Sequence, residues 1–160
     1  MLERGVIAIQ AQYINPFLSS SVSVIEALIQ VRPSVGELNV KSVQLGENHI
    51  WLSIGVNGQM NGDILFGFPH EVALKIVSGM MGGYLVTELD EMGQSAIAEL
   101  GNMISGNASA LLYNEGIEID ITPPNILGEH FVSTMPALNR AFTIPLKIDS
   151  VGEFNIYILM

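Results

Sequence analysis

Apolar residues recur at helical spacing in three segments of the chain, and each segment carries start or stop signals. Asn15-Pro16 pairs a good N-cap residue with a proline, which predicts the start of a first helix. Arg32-Pro33 should stop that helix. Pro69 predicts the start of a second helix, which Gly82-Gly83 should close.

The third helical segment is the longest. It begins at Thr87-Glu88-Leu89-Asp90, which resembles a capping box with Asp in place of the usual Glu, and its pattern runs to Asn114 before Gly116. At 1.5 Å per residue this predicts roughly 40 Å of helix. A helical wheel gathers one apolar stripe that we expect to face the core: Leu89, Met92, Ala96, Leu100, Met103, Ile104 and Leu111.

Alternation of apolar and polar residues predicts strands in the rest of the chain. Asn57-Gly58 predicts a tight hairpin, Pro123-Pro124 should break a strand, and Ser150 to Gly152 should form a turn. The predicted strands cover residues 38–45, 50–56, 60–68, 117–122, 142–148 and 154–158. Hairpins and alternation together predict an α+β fold, with an antiparallel β-sheet packed against long α-helices.

Composition and charge limit the function. A length of 160 residues without linkers or charge blocks predicts one domain over residues 1–160. The net charge of −10 argues against binding to nucleic acid or an anionic membrane, and it suits a partner with a basic face. Acidity that merely keeps an apolar protein soluble is an equally simple explanation.

The chain has no cysteine, which excludes disulfides, thiolate metal sites and a cysteine nucleophile. Its three histidines, His49, His70 and His130, are scattered without a Glu-x-x-His pair, so we expect no metal site on this chain. The N-terminal residues do not resemble a signal peptide, and no apolar run approaches the ~20 residues of a membrane span. The expected compartment is the cytoplasm.

Four residues of the third helix share its flank within an arc of about 60°: Ser95, Glu99, Asn102 and Gly106. They place a hydroxyl, a carboxylate, a carboxamide and a bare backbone patch in one row. Gly101 and Gly106 each cost about 1 kcal/mol against Ala inside a helix. Close approach of a neighbouring helix or of a docked partner would explain why glycines occupy these two positions. Spacing alone does not separate this arrangement from an ordinary solvated face.

The segment from Ser95 to Ala108, with its Glu-Leu-Gly-Asn-Met-Ile-Ser-Gly-Asn-Ala core, resembles the signature of the CheC/CheX/FliY phosphatase family. In that signature an Asp or Ser precedes a Glu by four residues, an Asn follows three residues later, and a proline lies a little over twenty residues beyond. Ser95, Glu99 and Asn102 match it, and Pro124 is the candidate proline. The first helix has no Asn three residues after Glu26, and one motif per chain resembles the CheX type.

The resemblance implies a phosphatase of two-component chemotaxis signalling that dephosphorylates a CheY-like response regulator. It implies that Asn102 positions the attacking water, that Glu99 pairs with a lysine of the receiver, and that Ser95 and Pro124 support partner binding. Gly106 joins this partner-binding set because it lies on the same flank and would allow close approach. The resemblance also implies no cofactor on this chain, since Mg²⁺ would sit in the receiver. A non-catalytic module that docks a receiver or a flagellar-switch protein is the alternative. An orphan member serving a receiver outside chemotaxis is a third possibility.

The C-terminal run from Phe142 to Met160 ends in a segment that is apolar on both faces, with no lysine or proline after Lys147. An exposed edge strand of this kind needs a cover. Together with the resemblance, this predicts a homodimer; a monomer whose last strand lies centrally in its own sheet is the alternative.

Overall fold

Three helices lie on one side of a single sheet in the structure, a computed structural model that describes residues 2–43, 45–128 and 138–159. The helices are α1 (Leu2–Ile29), α2 (His70–Met80) and α3 (Glu91–Asn114). No helix in the described part of the chain is both long and apolar enough to cross a membrane. The expected α+β class is confirmed, because the described strands pair only in antiparallel fashion.

The sheet has the strand order β1-β7-β8-β4-β3-β5, with β2 also pairing with β7 and β6 also pairing with β3. Each edge is therefore built from two short strands laid end to end. The strands are β1 (Ser34–Val35), β2 (Asn39–Val43), β3 (His49–Gly58), β4 (Gly62–Pro69), β5 (Ile119–Ile121), β6 (Asn125–Ile126), β7 (Leu138–Ile148) and β8 (Gly152–Leu159).

The first helix starts earlier than the sequence predicts. Pro16 lies inside α1 and does not open it. A proline in a helix interior removes one hydrogen bond and costs about 3 kcal/mol. Ile14 and Phe17 beside it are only 2% and 0% exposed, so packing against the core offsets that loss. The predicted stop is confirmed, because α1 ends at Ile29, three residues before Arg32-Pro33.

The predicted two-residue hairpin at Asn57-Gly58 is wrong. The last pair of the β3–β4 ladder is Val56 with Gly62, so a longer loop joins the strands. Asn57 and Gly58 stay in β3 because they pair with β5 on its other side. The Asn61 carboxamide closes the loop, accepting from the Gly58 amide at 3.3 Å and donating to the Gly58 carbonyl at 3.1 Å.

Alternation along each central strand divides the sheet into two faces. Leu52, Ile54 and Val56 of β3 point to the main core, which also contains the buried residues of all three helices. Trp51 and Tyr157 point to the opposite face, where they join a smaller apolar cluster. The helices thus cover one face only, and α3 lies in that layer with its outer side in solvent.

The premise for an exposed C-terminal edge is wrong. β8 lies between β4 and β7 and pairs with both. Phe154, Ile156 and Ile158 are at most 1% exposed, so the apolar character of this strand is explained by burial within its own sheet. Short edge strands and Pro123-Pro124 at one edge already limit edge-to-edge pairing. The homodimer stays a prediction without this support.

Candidate functional site

The candidate site lies on α3, whose ends are fixed by local capping. Asp90 is the N-cap residue, and its side chain accepts a 2.9 Å hydrogen bond from the Gly93 amide. The helix therefore begins later than predicted, because Asp90 caps it directly and does not serve as the fourth residue of a capping box. At the other end Gly116 adopts a φ of 83°, which confirms the predicted C′ glycine.

The predicted apolar stripe of α3 is correct for Leu100 and Ile104, which are buried, and wrong for three other members. Met92 is 67% exposed, Met103 37% and Leu111 36%. Several small residues are buried in addition to large apolar ones, so the helix can approach the sheet closely. The buried residues of α3 are Gly93, Ile97, Leu100, Gly101, Ile104, Ser105, Ala108 and Leu112.

The two interior glycines of the motif have different surroundings. A Cβ atom on Gly101 would overlap the Leu52 side chain of β3, so this glycine permits close packing of α3 on the sheet. A Cβ atom on Gly106 would meet nothing within 4 Å. Packing within the described chain therefore explains why position 101 is a glycine. It does not explain the glycine at position 106.

The structure brings Ser95, Glu99, Asn102 and Gly106 together on the solvent side of α3, where all four are exposed. Glu99 and Asn102 are three residues apart, which places their Cβ atoms about 5–6 Å from each other. Among the described residues, neither the Glu99 carboxylate nor the Asn102 carboxamide has a hydrogen-bond or ion-pair partner. The pair is thus available to a group from outside.

Pro124 lies in the short connection between β5 and β6, and it is partly buried. Both strands pair with β3 and contact α3, so Pro124 is placed beside the helix layer and not on the α3 surface itself. The adjoining Thr122 fixes the connection, since its hydroxyl accepts a 2.7 Å hydrogen bond from the Gly55 amide.

A side-chain hydrogen bond joins α3 to α1 and two others lie within α3, and no motif in the sequence predicts them. The Asn107 carboxamide donates to the hydroxyl of Ser20, which is fully buried, at 3.1 Å. The buried Ser105 hydroxyl bonds the Gly101 carbonyl at 2.8 Å and the Asn102 carbonyl at 3.3 Å, one turn back along α3. The backbone that carries Asn102 is therefore anchored, while its side chain is exposed.

The surroundings of the site are acidic. Residues 76–139 contain no lysine or arginine, so α3 offers Glu99 no basic neighbour on its own helix. Within the described part of this segment, seven acidic residues are exposed, namely Glu88, Asp90, Glu91, Glu99, Glu115, Glu118 and Asp120. Such a surface favours a basic partner.

No group of three or more metal-ligating side chains gathers anywhere in the described ranges. His49 stacks on Trp51, and His130 lies outside the described residues. A cavity of about 280 Å³ lies at the C-terminal end of α2, but none of the motif residues lines it. The exposed face of α3 is therefore the candidate site.

The family model described as "Chemotaxis phosphatase CheX" matches residues 50–147, a range that includes α3 and Pro124. A curated relative, the CheY-P phosphatase CheX of Thermotoga maritima, is 30% identical over 149 residues, covering 92% of this chain and 95% of the relative. This chain belongs to the CheX family. The CheX resemblance inferred from the Ser95–Ala108 motif is thereby confirmed.

Solved structures with the CheX name share the fold. A chemotaxis protein CheX from Desulfovibrio desulfuricans superimposes with a TM-score of 0.76 at 24% identity, covering 92% of this chain and 99% of the other. The CheX–CheY–BeF₃–Mg²⁺ complex from Borrelia burgdorferi gives a TM-score of 0.70 at 25% identity, covering 92% of this chain and 96% of the matched one.

Proposed function

We propose that this chain is a protein aspartyl-phosphate phosphatase that dephosphorylates a CheY-like response regulator. One observation carries the proposal: in a CheX-family chain, Glu99 and Asn102 lie exposed on the outer side of α3, and neither side chain has a partner in residues 2–43, 45–128 or 138–159. The relative from Thermotoga maritima is named for this activity, and a CheX of Borrelia burgdorferi forms a complex with CheY.

Asn102 acts as the water-positioning group. Its carboxamide does not titrate near neutral pH, so it orients a water by hydrogen bonding and does not serve as a general base. The water oxygen attacks phosphorus in line as the bond from phosphorus to the aspartyl oxygen breaks. The products are inorganic phosphate and the free aspartate carboxylate, and the water's proton leaves with the phosphate or to solvent.

Glu99 fixes the register of the complex by pairing with a lysine of the receiver. Support comes from the lack of a cation for this carboxylate among the described residues. Ser95 and Gly106 lie on the same exposed face and contribute to the contact surface, and Gly106 lets the partner approach the α3 backbone. Pro124 supports the contact from the connection beside the helix layer.

The chemistry requires no metal ligand from this chain. A receiver supplies Mg²⁺ and its own lysine to neutralise the phosphoryl charge, so the phosphatase adds positioning. We also propose that the chain works in the cytoplasm, where ATP-derived phosphoryl groups reach receivers. A homodimer with two independent centres is part of the proposal and is supported by the family resemblance alone.

The rival is a docking module that binds a receiver or a flagellar-switch protein through the same face and hydrolyses nothing. Asn102 discriminates between the two functions, because a surface that only binds a receiver has no need of an exposed carboxamide beside Glu99. An orphan member serving a receiver outside chemotaxis would share the chemistry and differ only in its substrate.

The test is a phosphate-release assay on a panel of phosphorylated receivers from the same genome. The wild-type chain should accelerate release from one of them, and Asn102→Ala should return the rate to that of the receiver alone. Asn102→Asp should fail as well, because a second carboxylate near the phosphoryl group repels it. Asn57→Ala, which removes an exposed carboxamide on β3, is the matched control and should keep the wild-type rate. Binding without accelerated release would favour the docking module.

A further inference from the structure

Exposed apolar side chains concentrate on the helix that carries the candidate pair. Single exposed apolar residues are normal on protein surfaces, so their distribution is what matters. Where exposure is described, seven large apolar side chains are exposed, and only Val35 lies away from α3 and the loop before it. The other six are Tyr84, Leu85, Met92, Met103, Leu111 and Tyr113.

Two of these residues lie in line with the pair. Met92, Glu99, Gly106 and Tyr113 follow one another at intervals of seven residues, and such positions drift by only about 20° per step around a helix. Ser95 and Asn102 lie between these residues, so that successive positions are three or four residues apart. Residues at this spacing lie on the helix face that contacts a partner helix in a coiled coil. These six residues define the α3 seam, about 32 Å long from Met92 to Tyr113.

The composition of the α3 seam changes along its length. Met92 is 67% exposed and Tyr113 is 65% exposed, so each end presents a large apolar side chain to solvent. The middle holds the carboxylate, the carboxamide and a glycine with open space above it. Asn102 lies about 15 Å along the axis from either end. A small protein domain about 30 Å across would touch both ends when it is centred on Asn102.

Charge identifies the occupant. A second copy docked on the same seam would bring Glu91, Glu99 and Glu115 of each copy together, with no lysine or arginine on either α3 to offset them. A basic protein with apolar contacts at matching positions meets no such repulsion. The phosphorylated receiver of the proposed function must also be centred on Asn102, so it is the occupant that this geometry favours.

We propose that Met92 and Tyr113 are docking residues for the receiver, binding it at both ends of the α3 seam while Glu99 and Asn102 act at the centre. The proposal rests on the proposed function and adds two residues that contribute affinity, beside Glu99, without taking part in the chemistry. Large, exposed apolar anchors contribute most of the affinity of many protein interfaces. Removal of these side chains should therefore weaken binding without changing the rate within the complex.

The experiment compares Met92→Gln, Tyr113→Gln and the double variant with the wild type. Binding is measured to the cognate CheY-like receiver loaded with beryllofluoride and Mg²⁺, and steady-state phosphate release gives kcat and KM. Each single variant should raise Kd and KM about tenfold or more, with kcat within about twofold of the wild type. Val35→Thr is the matched control, since it changes an exposed apolar residue on β1 and should leave all values unchanged.

The outcomes separate this proposal from the proposed function. Unchanged Kd and KM in the double variant, with Asn102→Ala still inactive, would overturn the docking role and keep the phosphatase. A fall in kcat with unchanged Kd would overturn it too, since the residues would then act on chemistry. Loss of a dimer without loss of receiver binding would assign the seam to a second copy. Absence of phosphatase activity in the wild type would refute the proposed function itself.

Discussion

Gly101 of α3 lies so close to Leu52 of β3 that a Cβ atom at position 101 would overlap the leucine side chain. Five residues further along the same helix, Gly106 has open space where its Cβ would be. Both glycines carry the same intrinsic cost of about 1 kcal/mol in a helix. Only the second is available to a partner, so the two positions allow packing and docking to be tested separately.

Alanine at each position should have opposite effects on stability. Gly101→Ala should lower the free energy of unfolding by about 1–3 kcal/mol, because either the buried Leu52 side chain or α3 itself must shift. Gly106→Ala should raise it by about 1 kcal/mol, because it improves helix propensity without a clash. Gly106→Ala should nevertheless weaken receiver binding. Urea unfolding and a receiver titration of both variants check this, and a Gly106→Ala chain that binds as well as the wild type would contradict close approach at that position.

Glu99→Gln should weaken docking more than folding. It removes a charge that has no partner among the described residues, so the free energy of unfolding should stay within about 0.5 kcal/mol. Loss of one member of an ion pair buried at an interface typically costs about 2–5 kcal/mol of binding. Receiver titrations at two salt concentrations measure this, with the exposed Glu37→Gln as the control for net charge. Equal affinities for Glu99→Gln and wild type would place Glu99 outside the interface.

Phosphate release should require Mg²⁺ because the receiver, and not this chain, binds the metal ion. Calorimetry on the isolated chain should detect no specific Mg²⁺ or Zn²⁺ binding, whereas phosphate release in the presence of a receiver should stop on addition of EDTA. Excess Mg²⁺ should restore release. A stoichiometric, tight metal site on the chain alone would indicate a different class of enzyme.

The assembly prediction now depends on family resemblance alone. Light scattering at micromolar concentration should give a mass near twice 17.3 kDa. The central position of β8 removes the earlier argument from an exposed C-terminal strand, because both of its edges are already paired. A measured mass near that of one chain would end the homodimer prediction and leave the chemistry at Asn102 unaffected.

Local signals in the sequence predicted most helices and strands of the fold, but not all of the residues at which they begin and end. Alternation and helical spacing identified the β3, β4, β7 and β8 strands and all three helices. The prediction that Pro16 starts α1 is wrong, because local helix propensity does not include the packing of Ile14 and Phe17, which are buried on either side of the proline. Asn57-Gly58 gave a true turn preference, which pairing with β5 overrode.

The sequence predicted which α3 residues carry the motif, but it predicted the core-facing side of the helix only in part, since Leu100 and Ile104 are buried as expected and Met92, Met103 and Leu111 are exposed. The motif residues were assigned to solvent correctly, whereas Met92 and Met103 were assigned to the core because they are apolar. Gly101, Ser105 and Ala108 face the core instead, and their small size is what allows contact with the sheet. Hydrophobicity alone cannot distinguish a residue that fills space from one that permits close approach.

The central position of β8 has a consequence for synthesis on the ribosome. It occupies residues 152–159 and bridges β4, which begins at Gly62, to β7. Until β8 has emerged, β4 lacks its inner neighbour and the nascent chain holds two unconnected parts of a sheet. The sheet therefore cannot close before β8 has been synthesised, about 90 residues after β4, and the slow, non-local pairing of β4 with β8 should limit the rate of folding. During that interval the unpaired edge of β4 is the surface most exposed to aggregation and to chaperones.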